Sequence, residues 1–102
     1  MKLMTKEIER KLAGRPVGST DGQGVNAEVV VKYFTPWGAG TWLVTEGERQ
    51  PDGDWLLYGK AFLFEWEWGY TLLSDLERVR GPFGLGVERD LYARGTVAEL
   101  TR

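Results

Sequence analysis

The chain has 102 residues, 42% hydrophobic and 27% charged, with a formal net charge of −2; this is an ordinary globular composition, at a size able to bury one core without staples. It contains neither cysteine nor histidine, which excludes disulfides, Ser-His-Asp and Cys-His nucleophilic systems, and imidazole-ligated zinc. Charge arrives before any apolar run develops and no stretch is long enough to span a bilayer, so the expectation is a cytoplasmic protein with no signal peptide and no membrane anchor.

Thr5 is a suitable N-cap for Lys-Glu-Ile-Glu-Arg-Lys-Leu-Ala, closed by Gly14 with Pro16 just beyond. Met4, Ile8 and Leu12 recur at helical spacing and predict a short helix packing one stripe on a core. Residues 15–27 are rich in turn formers and read as a long loop. Residues 28–34, β-branched and aromatic, predict the first strand; residues 35–40, with Pro36 and Gly40, interrupt it. Residues 41–46 predict a second strand, 47–53 a polar loop, and 54–64 a third strand in which Gly59 marks a bulge. Short connections favour antiparallel pairing, because a parallel return needs a crossover of about a dozen residues.

Glu65-Trp-Glu-Trp-Gly-Tyr70 extends or leaves that third strand. Ser74 and Glu77 form a capping-box pattern that predicts a short helix from Asp75 to about Val79. Residues 80–86, with Pro82 and several glycines, read as irregular, and 87–92 as a last strand. Thr96 and Glu99 form a second capping box that opens a brief terminal helix. The order predicts an α+β fold, a small antiparallel sheet with short flanking helices, in a single domain over 1–102.

With imidazole and thiol absent, catalysis would fall to carboxylate, Lys, Tyr or a hard cation held by oxygen. Glu65 and Glu67 are the candidate catalytic pair. On an extended strand they would share one face, roughly 6.5–7 Å apart, with Trp66 and Trp68 on the other. That spacing suits a divalent cation or the acid and base of an inverting glycosidase. The alternative is a solvated glutamate face backed by core tryptophans, which any half-buried strand would show.

Five tryptophans are more than a small core must contain, and large rings left partly exposed are enriched at interaction sites. Trp37, in a Pro-Trp-Gly turn, and Trp66, Trp68 and Tyr70 are therefore the candidate binding residues. Gly81-Pro-Phe-Gly-Leu-Gly86 matches neither dinucleotide nor P-loop spacing and reads as a structural turn. Charge is unevenly spread: residues 1–15 carry a local +3 from Lys2, Lys6, Arg10, Lys11 and Arg15 against two glutamates, and residues 16–70 a local −5. One basic segment makes a weak case for nucleic acid, which would usually meet a dense basic patch.

Val-Val-Lys-Tyr-Phe-Thr-Pro, Thr-Trp-Leu-Val-Thr-Glu, Glu-Trp-Gly-Tyr-Thr-Leu-Leu-Ser-Asp-Leu-Glu and Arg-Gly-Pro-Phe-Gly-Leu-Gly-Val-Glu-Arg-Asp-Leu-Tyr occur here in that order over about residues 28–93. In this combination the chain resembles a bacterial family known as domain of unknown function 2958, which occurs on plasmids, phages and conjugative elements. The resemblance implies a bacterial protein of a mobile genetic element and brings no activity or catalytic residues. The residues and the resemblance together favour a non-catalytic accessory protein, engaging a protein partner through an aromatic surface rimmed by acid. No cofactor and no metal are expected, and no membrane or nucleic-acid partner. The alternatives are a small carboxylate- or metal-dependent hydrolase using Glu65 and Glu67, and a weak nucleic-acid binder using the basic first helix.

Overall fold

The computed structural model describes residues 1–101. Its centre is a five-stranded antiparallel sheet in the order β4-β3-β2-β1-β5, where β1 is Val31–Phe34, β2 Thr41–Arg49, β3 Trp55–Phe62, β4 Trp66–Leu72 and β5 Glu88–Arg89. The first four strands form a meander, and β5 returns to pair with the outer side of β1. Three short helices accompany the sheet: α1 Lys6–Ala13, α2 Leu73–Arg78 and α3 Val97–Leu100. The α+β expectation holds.

Helix α1 starts as its cap predicts. The Thr5 hydroxyl accepts the Ile8 amide at 3.2 Å, and Gly14 closes the helix. Ile8 and Leu12 are its buried residues, and they pack with Met4, Val31, Tyr33, Trp42, Val44 and Leu57 in one cluster. In antiparallel register, directly opposed residues share a face. The pairs Tyr33–Trp42, Trp42–Ala61 and Val44–Gly59 therefore define the core face, and α1 lies on it. Helix α2 adds Leu73 and Leu76 to the same cluster.

The predicted capping box of α2 does not form. Ser74 lies inside the helix, which begins at Leu73 without a side-chain cap. Its hydroxyl donates instead to the Asp54 carboxylate at 2.5 Å, and its amide to the same group at 3.1 Å. A nearby aspartate at the start of β3 competes successfully for the donors that a local cap would use. The α3 box forms as expected, with Thr96 and Glu99 satisfying each other's backbone amides.

The bulge also moves. Gly59 stays in regular pairing, while the register of β2 slips between Val44 and Glu46, leaving Thr45 as the extra residue. Gly59 is needed for another reason: a Cβ there would lie 1.9 Å from the Leu43 carbonyl oxygen. The slip at Thr45 breaks the two-residue alternation of β2. Trp42 and Val44 face the core, but Glu46 pairs with Tyr58 and so turns to the opposite face.

Candidate functional site

That opposite face carries the aromatic residues. Along β4, Trp66, Trp68 and Tyr70 oppose Phe62, Lys60 and Tyr58 of β3, so all six side chains share one surface. The rings touch in pairs. Tyr58 and Trp68 stack with centroids 5.9 Å apart and planes 18° from parallel; Tyr58 and Tyr70 meet at 5.0 Å, and Phe62 and Trp66 at 5.4 Å, both tilted. Lys60 places its ammonium 5.8 Å from the Trp68 ring centroid. Trp68 is 38% exposed and Tyr70 60% exposed, far beyond what core rings show.

The two readings of Glu65-Trp-Glu-Trp68 can now be weighed. The tryptophans do alternate to one face, but it is the open face and not the core. Trp42 is the core indole, and Trp55 packs against that core. Trp37 is half-buried in the β1–β2 turn, stacked so close to Gly81 that a Cβ there would fall 2.2 Å from its ring. It belongs to the β1–β2 turn, and the β3–β4 pair carries Trp66, Trp68 and Tyr70.

Strand β4 begins at Trp66, so Glu65 sits in the bend before it and only Glu67 has a strand orientation. Glu67 pairs with Ala61 and so points to the helix side of the sheet. Both carboxylates are exposed and border a concavity of about 340 Å³ with Trp42, Ala61 and Phe64. Among the described residues no group of three or more carboxylates is placed to hold a metal ion.

The Gly81–Gly86 segment is a tight turn, as its spacing implied. Arg80 bridges to Gly86, and Phe83 stands fully exposed at the tip with a left-handed φ of 59°.

The long loop that precedes β1 has a role the sequence did not reveal. Glu46, 1% exposed, accepts the Gly18 amide at 2.7 Å, the Thr20 amide at 2.8 Å and the Thr20 hydroxyl. Glu48 accepts the Val17 amide at 3.0 Å. These carboxylates tie residues 17–20 down against the aromatic face. The loop then runs through Asp21, Gly22 and Gly24 beside Tyr58 and Trp68, enclosing a concavity of about 280 Å³. Burial raises the Tyr58 phenol above its ordinary value of 10.0, with further increments from Glu46, Tyr70 and Asp21.

The match to known families comes from the whole chain and not from this surface alone. Residues 3–101 fit the family described as a protein of unknown function (DUF2958). This chain belongs to the DUF2958 family. The fit takes in α1 as well as the sheet, beyond the span where the shared segments were legible. Comparison with curated proteins and with solved structures gives no match. The DUF2958 assignment brings no catalytic residue to test against the open face. Among the described residues no helix is long and apolar enough to cross a membrane.

Proposed function

We propose that this DUF2958 chain is a single-domain, non-catalytic accessory protein of a bacterial mobile genetic element, acting in the cytoplasm and engaging a protein partner through its open aromatic face. The mobile-element context rests on where the family occurs. The binding reading rests on one observation: Trp68 and Tyr70 are 38% and 60% exposed on a sheet face whose neighbouring strand adds Tyr58 and Phe62. A folded chain gains by burying such rings, and rings left out beside one another are enriched where partners dock. Acid lies beside them in Asp21 on the loop.

Aromatic rings on an open sheet also suit single-stranded nucleic acid, but such platforms work with a cationic groove that tracks the phosphates. Helix α1, which carries Lys6, Arg10 and Lys11, packs on the core face, across the sheet from Trp68 and Tyr70. Lys60 is the cation that the paired β3 and β4 residues place among the rings.

Random-peptide display against the wild-type chain and against a Trp68→Ala/Tyr70→Ala variant tests the reading. The expected result is a family of peptides that binds wild type and loses at least about 30-fold in affinity on the variant, as for hot-spot rings. Both rings point away from the core, so the variant should keep its far-ultraviolet dichroism. Peptides that bind both proteins equally, or rings that bind only a short oligothymidylate at low salt, would refute it.

A further inference from the structure

The concavity between the glycine loop and the sheet has features more specific than an apolar face. One wall is the stacked pair Tyr58 and Trp68, with planes 18° apart. The other is the turn through Asp21, Gly22 and Gly24, seated by the Thr20 contacts to Glu46. Gly22 and Gly24 have φ values of 83° and 54°, the left-handed region that other residues enter at a cost. A Cβ at either would meet nothing within 4 Å, so this wall is bare backbone facing open space. Asp21 is exposed, and its charge reaches Tyr58, whose phenol it helps to raise. The volume of about 280 Å³ is ample for a flat side-chain head, since one liquid water occupies about 30 Å³.

We infer that this pocket receives an arginine side chain of the protein partner, its guanidinium lying against Tyr58 and Trp68 and pairing with Asp21. The inference rests on the protein-partner reading above and names the chemistry of that partner. A planar, weakly hydrated cation is the group that both stacks on aromatic faces and pairs with a carboxylate. The Lys60 ammonium stands 5.8 Å from the Trp68 centroid, so an entering guanidinium must displace it from that ring. Phosphate is disfavoured, because the Asp21 carboxylate would face it. A neutral apolar side chain would draw no attraction from that exposed carboxylate.

The test is a titration of the ¹⁵N-labelled chain with N-acetyl-arginine methylamide, and with the isosteric citrulline compound, which has no charge. The arginine compound should shift the Trp68 indole N–H and the amides of Asp21 and Gly22 in a saturable way, in the roughly millimolar range expected of so small a ligand. The citrulline compound should bind at least about ten-fold more weakly. Asp21→Asn should weaken arginine binding about five- to ten-fold while Asp21→Glu restores most of it, a rescue that loss of loop structure would not give. Equal responses to both compounds, or arginine binding unchanged by Asp21→Asn, would overturn the inference. So would the same shifts arising on concentrating the chain alone, which would make a second copy the occupant. The display experiment separates the two levels. Peptides that depend on Trp68 and Tyr70 but show no enrichment of arginine would remove the arginine pocket and leave the protein-partner reading standing.

Discussion

Tyr33, near the middle of β1, is fully buried, and its hydroxyl donates to the Leu3 carbonyl at 2.6 Å. That bond ties the segment before α1 to the sheet, and it makes the phenol sensitive to alkali. Burial pushes its pKa far above the ordinary 10.0, against a smaller lowering by Arg89. Once pH passes 10 the unfolded chain releases this proton while the folded chain keeps it, so the unfolded state gains. Stability is therefore unaffected by Tyr33 below pH 10, and falls above it by up to about 1.4 kcal/mol per pH unit. Denaturant unfolding at pH 9, 10 and 11 should show this decline. Tyr33→Phe should flatten it, while costing about 1 kcal/mol at neutral pH through the lost hydrogen bond.

At the scale of elements, the extra residue in β2 decides what the second face becomes. With strict alternation Glu46 would follow Trp42 and Val44 into the core face, where a carboxylate has no place. The slip at Thr45 carries it across the sheet to the donors of residues 18–20. Removing that carboxylate orphans two amides and a hydroxyl, at about 1–3 kcal/mol for each group left without a partner. Glu46→Ala is expected to destabilise the chain by about 2–6 kcal/mol, for the Thr20 amide and hydroxyl that stay buried, and to speed hydrogen exchange at Gly18 and Thr20 before it does so in β3.

The positions of β1, β3 and the start of β2 were legible because β-branched and aromatic runs lie between glycine-rich turns, and α1 and α3 because their caps are local. Strand β4, read as an extension of the third strand, turns back to pair with it, and β2 runs on to Arg49 through what read as a polar loop. What could not be read is non-local. One inserted residue leaves no mark in the composition of β2, and Gly59 suggested the bulge when it sits opposite it. Asp54 took Ser74 from its capping box from 20 positions away. The candidate rings Trp66, Trp68 and Tyr70 were legible from alternation, but their burial was not, since alternation alone does not say which face meets the helices. Asp21, Tyr58 and Lys60 were missed as members of the same surface. The regular spacing of Tyr58, Lys60 and Phe62 was the one signal available, and it gains meaning only once β3 is paired with β4.

For the whole molecule the sheet acts as a divider. The basic helix and the main core cluster occupy one side, the aromatic rings, their tethered loop and the buried Leu43 the other. A partner approaching the rings would therefore meet little of the charge that α1 contributes. Strand β4 closes this divider at one edge with no neighbour beyond it. Its seven residues, Trp66 to Leu72, include one charged side chain, Glu67. A border of this kind, long and rich in rings, is an open template for another chain's backbone, and a single anion is its guard. Glu67→Thr is expected to make the sedimentation coefficient climb more steeply with concentration than in the wild type, whereas Glu65→Thr, outside the strand, should leave sedimentation unchanged. Glutamate 67 would then owe its place to keeping neighbouring copies apart.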